Sequence, residues 1–242
     1  QCTLELFLCL KIIVKFLLLQ KNKLINSTDI FSISSAKQFE KIALKVFRFQ
    51  YDSNDVYREF CQLLNVEKHQ VKSLEQIPFL PIQFFKSHAI VSNTHPAQET
   101  FTSSGTTGMV TSKHLVTDIS LYEESYRKGF SQFYGNIEDY TILALLPSYL
   151  EREGSSLIYM VNDLIQLTNN PDSGFYLNQY DELIKKLIDL DLSGKNIILI
   201  GVTYALLDLI ERQKFQLKNT IVMETGGMKG KRKEMIREEL HE

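Results

Sequence analysis

Tryptophan is absent from this 242-residue sequence, and cysteine occurs only three times. The cysteines, Cys2, Cys9 and Cys61, are an odd number without a close pairing pattern, so we expect no disulfide scaffold and a reducing, cytoplasmic location. No charge of one sign dominates, because 27 Lys and Arg stand against 29 Asp and Glu. The protein therefore has no overall basic field that would attract nucleic acid.

Histidine is scarce as well. The five histidines show no spacing typical of zinc ligands, either among themselves or with the cysteines. We therefore predict no metal ion ligated by the protein itself.

The sequence also lacks an uninterrupted hydrophobic run long enough to span a membrane. Residues 2–19 are mostly apolar but include Glu5, Lys11 and Lys15, whereas a spanning helix needs about 20 mostly apolar residues and charges inside it are costly. A signal peptide would carry its charges before the apolar core. Three interpretations stay open: a buried or interfacial helix, a weak anchor, or a prefix foreign to the natural protein. We favour the prefix and expect no firm membrane association.

The two ends of the sequence suggest how the chain is divided. The polar stretch 20–29 is typical of a linker, so we assign residues 1–30 to an atypical prefix and linker and residues 31–242 to one domain. The last residues, KRKEMIREELHE, have a charged helical pattern that no glycine or proline closes. We therefore expect a fragment whose domain is truncated before its natural end.

Apolar residues make up 44% of the sequence and charged residues 23%, as in ordinary soluble domains. Short apolar runs alternate with stretches of helical periodicity, which predicts an α/β domain with a layered mixed sheet flanked by helices. The predicted strands are residues 141–146, 196–202 and 220–223. The predicted helices are residues 34–51, 54–64, 118–134, 155–167, 179–190 and 204–213, and residues 76–87 are expected to be extended or turning.

One segment, FTSSGTTG at residues 101–108, has a composition suited to binding phosphate. Its glycines let backbone N–H groups approach an anion, and its hydroxyls add short donors. Composition alone favours an ordinary Ser/Thr/Gly linker. The segment is not a Walker loop, because Val110 stands five residues after Gly105, where that motif needs its second glycine, and the G-x-S-x-G pattern of a nucleophile elbow is absent.

The order of residues carries more information than the composition. The SSGTTG loop followed by Lys113 resembles the phosphate loop of adenylate-forming enzymes. Three further segments extend the resemblance to the LuxE-type acyl-protein synthetase branch of that superfamily, over residues 34–242: IPFLPIQFFKSH at 77–88, LALLPSYLEREGSSLIYMVN at 143–162 and VMETGGMKGKRKEM at 222–235. The fold implied is part of the large N-terminal domain of such enzymes, without the smaller C-terminal domain.

The resemblance implies a reaction. ATP and a long-chain fatty acid would give an acyl-adenylate and pyrophosphate, with Mg²⁺ bridging phosphates, and the acyl group would then move to a cysteine of the enzyme. An acyl-reductase or acyl-transferase is the implied partner. By motif position, the resemblance implies that the phosphates contact the loop residues Ser103, Ser104, Gly105, Thr106, Thr107 and Gly108. The acyl pocket would include Pro147, Ser148 and Tyr149, and the segment against adenine would be Glu224, Thr225, Gly226 and Gly227. The catalytic cations would be Lys113 and Arg152.

The sequence departs from the superfamily pattern in several places. Val110 and Thr111 replace the usual proline and lysine after the loop, the later Y-G-x-T-E motif is not found, and no cysteine has a matching context. We therefore do not expect the full reaction on these residues alone. Two alternatives stay open: an acyl- or aryl-CoA ligase of phenylacetate type, and an inactive nucleotide- or acyl-binding fragment.

The basic run 229–233 opens the last predicted helix. Cations at a helix N-terminus oppose its macrodipole, which suggests an anion partner near this run. We favour the other interpretation, a solvated face held by packing.

Overall fold

The computed structural model describes residues 25–92, 95–103, 110–147, 154–226, 228, 230–233 and 235. The described chain forms two compact units. The first consists of the described residues up to Gly129 together with Gly154–Ser156, and the second of the remaining described residues. Within the described ranges, no helix is both long and apolar enough to cross a membrane.

Helices dominate the first unit. Their bounds are α1 Ser27–Phe31, α2 Ala36–Ser53, α3 Asp55–Leu63, α4 Phe84–Ser87 and α5 Ile119–Tyr134, whose last turn belongs to the second unit. Two caps set the helix starts. The Ser35 hydroxyl accepts the backbone N–H of Gln38 at 3.3 Å, and the Asn54 side chain accepts that of Tyr57 at 3.1 Å.

The core of the first unit lies where α2 and α3 pack together. Phe47, Tyr57 and Cys61 are buried there, with the Phe47 ring edge-on to Tyr57 at 6.2 Å between centroids. A second cluster includes Ile25 and Ile30, which pack with Val46 and Leu121. The predicted domain boundary at residue 30 stays a prediction.

A two-stranded antiparallel hairpin completes the first unit. Strand β1, Glu99–Thr102, pairs with β2, Lys113–Val116, and Thr102 is opposite Lys113. Phe101 packs against Tyr122 of α5 at 5.3 Å between ring centroids. The hairpin therefore rests on α5 through an aromatic contact.

The second unit is built on a parallel four-stranded sheet in the order β4-β3-β5-β6. Its strands are β3 Tyr140–Leu145, β4 Gly174–Tyr176, β5 Asn196–Val202 and β6 Thr220–Thr225. Its helices are α6 Ser156–Leu167, α7 Tyr180–Leu192 and α8 Thr203–Arg212. Alternation of strand and helix is what a parallel sheet requires.

Burial falls from the centre of this sheet to its edge. Residues 142–145 of β3 and Ile198 of β5 are fully buried, whereas Ile221 and Val222 of β6 are exposed. Continuous apolar runs such as NIILIGV are therefore explained by helices covering both faces.

The helix and strand predictions are largely confirmed, and the α/β class with them. In the described chain the sheet is parallel, not mixed, because the antiparallel strands form a separate hairpin. Strands β1, β2 and β4 were not predicted, and three further segments differ from expectation. Residues 84–87 are helical, β6 extends two residues further to Thr225, and residues 230–233 form a turn where a helix was predicted.

Candidate functional site

The carboxyl ends of three neighbouring strands bring several predicted site residues to one edge of the parallel sheet. Pro147 follows β3, Thr203 follows β5 directly, and β6 ends with Glu224 and Thr225. In the strand register, Gly201 of β5 is paired with Glu224 of β6 on one side and with Leu145 of β3 on the other. This edge is where open α/β sheets bind ligands.

Glu224 is held in place by the first residue of α8. The Thr203 hydroxyl donates to Oε1 of Glu224, and Thr203 itself is buried. Helix α8 sits tightly behind this contact, because a Cβ added to Gly201 would lie 2.6 Å from Cδ2 of Leu206. The hydroxyl of Thr225 is buried without a hydrogen-bond partner among the described residues. A buried hydroxyl of this kind is expected to form its hydrogen bond with a ligand or a water molecule.

The turn after β6 is fixed to the same helix. Met228 is buried, and its carbonyl accepts the backbone N–H of Lys231 at 2.8 Å. Arg232 pairs with Asp208 and Glu211 of α8. Cations in the 229–233 run are therefore not all directed at an external anion.

The hairpin of the first unit carries the ends of the hydroxyl-rich loop. The backbone N–H of Ser103 donates to the carbonyl of Ser112, and the N–H of Ser112 donates to Oγ of Ser103, both at 3.0 Å. These two bonds close the neck of the loop. Lys113 follows the neck on β2 and is exposed, so its charge is available beside the loop.

A glycine from a distant part of the sequence supports this hairpin. The carbonyl of Gly154 accepts the backbone N–H of Thr102 at 2.8 Å. Gly154 has φ +79°, and a Cβ there would come within 2.9 Å of the carbonyl oxygen of Thr100. Only glycine fits this combination of positive φ and close approach.

The first unit also contains a cavity that is lined by both polar and apolar side chains. Gln50, Asn54, Ser92 and His114 line it together with apolar side chains. The Ser92 hydroxyl donates to Oε1 of Gln50 at 2.6 Å, and Asn54 donates to the same oxygen at 3.2 Å. These bonds connect the 90–92 loop to the α2–α3 corner, so Gln50, Asn54 and Ser92 have a structural role there.

The predicted site residues are thus located in two places. Pro147, Glu224, Thr225 and Gly226 share the edge of the parallel sheet, and Ser103 and Lys113 share the neck of the hairpin. Within the described ranges, no three His, Cys, Asp or Glu side chains come together as a metal site. The other predicted site residues lie outside the described residues: Ser104, Gly105, Thr106, Thr107, Gly108, Ser148, Tyr149, Arg152 and Gly227.

Several residues of the site were missed by sequence reasoning. Thr203 could have been found, because it stands directly between a buried strand and a helix. The contacts of Arg232 with Asp208 and Glu211 join residues more than 20 positions apart, and no local pattern signals them. Gly154 was not singled out from its segment.

Comparison with known proteins confirms the family resemblance. The family model for the LuxE acyl-protein synthetases matches residues 17–142, just over half of the chain. The chain belongs to the LuxE acyl-protein synthetase family. The matched range includes the complete hairpin and the loop that it carries.

Two curated relatives bear ligase names. The chain is 34% identical over 80 residues to the long-chain-fatty-acid–luciferin-component ligase of Vibrio harveyi, covering 32% of this chain and 21% of that protein. It is 34% identical over 71 residues to the protein of the same name from Photorhabdus luminescens, covering 29% of this chain and 60% of that sequence. No solved structure matches the chain.

Proposed function

We propose that this chain forms the nucleotide- and acyl-binding part of a ligase that activates a long-chain fatty acid as an acyl-adenylate and passes the acyl group to a protein cysteine. The observation that carries this proposal is the LuxE family match, which spans the hydroxyl-rich loop on its closed hairpin. The ligase names of the two relatives support the fatty acid as substrate.

The first step sets an electrostatic problem. A carboxylate must approach the α-phosphate of ATP, so two anions meet, and catalysis depends on positioning and on positive potential. The exposed cation of Lys113, one residue beyond the Ser103–Ser112 neck, would supply such potential beside the phosphates. Ser103 and its neighbours in the loop would supply hydroxyl and backbone donors.

The edge of the parallel sheet supports a second part of the proposal. Strand β5 lies between β3 and β6, and neighbouring strands are about 4.8 Å apart, so the backbones of β3 and β6 are separated by roughly 10 Å. We assign the acyl chain to the Pro147 side and adenine to the Glu224–Gly226 side. The buried hydroxyl of Thr225 offers a hydrogen bond to the nucleotide.

Mg²⁺ would arrive with ATP. Glu224, the carboxylate at the sheet edge, already accepts the hydroxyl of Thr203, so the donor set of the described residues fits a nucleotide-borne cation better than a resident one. When bound, Mg²⁺ would neutralise charge on the phosphates.

The acceptor thiol is not Cys61. That side chain is fully buried in the α2–α3 core, and burial raises the pKa of its thiol, whereas an acyl acceptor has to be reachable and readily ionised. Cys2 and Cys9 lie outside the described residues. We propose a cysteine elsewhere in the natural protein as acceptor.

The test is fatty-acid-dependent exchange between ATP and radiolabelled pyrophosphate, with the protein expressed from its complete coding sequence. We expect exchange that depends on acids of long chain length. No exchange at any chain length would contradict the activity, and ATP binding without exchange would identify a nucleotide-binding remnant. Release of acyl-coenzyme A in place of an acylated protein cysteine would identify the CoA-ligase alternative.

A further inference from the structure

Arg232 makes the most extensive side-chain contact in the turn that follows β6. Its Nε lies 2.9 Å from Oδ1 of Asp208, Nη1 lies 2.7 Å from Oε1 of Glu211, and Nη2 lies 2.6 Å from Oε2 of Glu211. Nη2 also donates to Asp208. All three nitrogens of the guanidinium are therefore engaged with two carboxylates of α8.

The same helix holds the start of this segment. Thr203, the first residue of α8, donates to Glu224, while Asp208 and Glu211 bind Arg232. At about 1.5 Å rise per residue, the two attachment points are roughly 8–12 Å apart along the helix axis. Glu224 and Arg232 are thus both attached to the same helix, and Met228, which lies between them in the sequence, is buried.

The charges of this cluster do not favour phosphate. The Arg232 guanidinium is already paired with two carboxylates, so a phosphate near Arg232 would also meet Asp208 and Glu211. Other described groups lie beside these three residues, and the pKa of Glu211 is lowered by its hydrogen bonds with Arg232, to which the charge of Lys214 adds. The Tyr180 hydroxyl lies 3.5 Å from Oδ2 of Asp208, and Arg212 stacks on the Tyr180 ring at 4.5 Å. Arg232 is placed to hold the chain, not an anion.

We propose that Arg232, Asp208 and Glu211 form a clamp that positions the Glu224–Gly226 segment for the adenosine part of the nucleotide. Arg232 is a positioning residue, because its side chain binds Asp208 and Glu211 and acts through α8. This inference rests on the proposed function for the identity of the ligand. The earlier suggestion of an anion site at residues 229–233 is replaced at Arg232 by this structural role.

The first test compares the affinities for ATP and adenosine in the protein expressed from its complete coding sequence. We expect Arg232→Met to weaken both ligands by the same factor, between about tenfold and a hundredfold, as for a small misplacement of a binding segment. Arg232→Lys should recover part of the loss, because a lysine can satisfy one carboxylate but not both in a fixed fork.

The carboxylate side of the clamp gives the decisive comparison. The double variant Asp208→Asn with Glu211→Gln should reproduce the Arg232→Met defect, and combining all three changes should add nothing to it. A direct phosphate contact by Arg232 predicts the opposite. ATP affinity would then fall more than adenosine affinity in Arg232→Met, and the carboxylate variant would bind ATP at least as well as the unaltered protein. That pattern overturns the clamp.

Hydrogen exchange separates this inference from the proposed function. In Arg232→Met we expect amides of residues 225–233 to exchange at least about tenfold faster, with the remaining β5 and β6 amides unchanged. Arg58→Met is the matched control, because Arg58 also joins a carboxylate, Asp55, and backbone carbonyls on a helix surface, but in the other unit. It should leave both the exchange and the nucleotide affinities unaltered.

Each outcome has a separate meaning. If the unaltered protein binds adenosine but shows no fatty-acid-dependent exchange of pyrophosphate, the proposed reaction fails while the clamp stands or falls on the variants. If Arg232→Met leaves the exchange of residues 225–233 unchanged, the clamp is overturned whatever the activity shows. If the unaltered protein binds neither ATP nor adenosine, both are overturned.

Discussion

The two units position their candidate site residues by different means. In the second unit, Pro147, Thr203 and Glu224 are placed by the register of a buried parallel sheet. In the first unit, Ser103 and Lys113 are placed by a short hairpin whose neck is closed by two hydrogen bonds. The sheet edge is a property of the whole unit, whereas the hairpin depends on a few local contacts.

This difference shows where each site is sensitive to substitution. A sheet held together by fully buried residues can lose one contact at its edge and keep its register. The four-residue strands β1 and β2 have few contacts of their own, so their stability depends on the elements packed against them. The following substitutions sharpen that comparison, beginning with the largest expected effect.

The centre and the edge of the parallel sheet should respond very differently to the same change. Ile198 and Ile221 are register neighbours on β5 and β6, but Ile198 is 0% exposed and Ile221 is 38% exposed. We expect Ile198→Ala to lower the free energy of unfolding by about 4 kcal/mol because it leaves a cavity, and Ile221→Ala by less than about 1 kcal/mol. Urea unfolding measures both. Equal losses would show that β6 is as well packed as β5.

The hairpin of the first unit should be broken by one methyl group. Gly154→Ala combines a φ of +79° with a contact of 2.9 Å to the Thr100 carbonyl, so we expect a loss of about 3 kcal/mol from backbone strain and overpacking. Gly135→Ala is the matched control, with φ +83° and no atom within 4 Å of the added Cβ. It should cost only about 1 kcal/mol. If thermal or urea unfolding shows similar losses of stability for the two variants, the close packing of Gly154 against β1 is contradicted.

A buried carboxylate that fastens the start of β6 gives a smaller, pH-dependent effect. Asp191 accepts the backbone N–H groups of Lys218 and Asn219 at 3.0 and 2.8 Å, and the hydroxyl of Thr220 at 2.8 Å. Burial alone would raise the pKa of Asp191, but these hydrogen bonds outweigh it and the pKa is lowered. Its contribution is therefore present above the unfolded pKa of about 4 and is lost as the pH falls through the lower folded value.

We accordingly expect Asp191→Asn to cost about 2 kcal/mol near neutral pH. The difference from the unaltered protein should shrink as the pH falls below about 4. Asp189→Asn, an exposed neighbour on α7, should change little at any pH. A difference for Asp191→Asn that stays constant down to pH values below about 3 would contradict the lowered pKa.

The comparison of the units also explains how much the sequence could predict. Strand β5 has the predicted bounds, because seven residues in NIILIGV are nearly all apolar and a sheet covered on both faces demands that pattern. Helices with a regular apolar face, such as the one predicted at residues 34–51, were equally predictable. Strands ETFT, KHLV and GFY were missed, because they are short and form through their partners, not through their own propensity.

The site itself was only partly predictable. Order of residues in SSGTTG and ETGG pointed to the two segments, but the apolar run of β6 ends at Met223 while its pairing continues to Thr225. Glu224 therefore belongs to the strand, beyond its predicted end at residue 223. The role of Arg232 depends on α8, which precedes it by some 20 residues, and it favours packing over an anion partner at that position.

The most direct measurement is the ratio of the dissociation constants for AMP and ATP in the double variant Thr106→Val with Thr107→Val, made in the protein expressed from its complete coding sequence. Valine keeps the shape of threonine and removes only the hydroxyl groups proposed to contact the β- and γ-phosphates. We predict that ATP binds about tenfold or more weakly, since each lost hydrogen bond to a charged group is worth about 1.5–3 kcal/mol, while AMP binds as before. Equal changes for both ligands, or none for either, would contradict the phosphate-binding role of this loop.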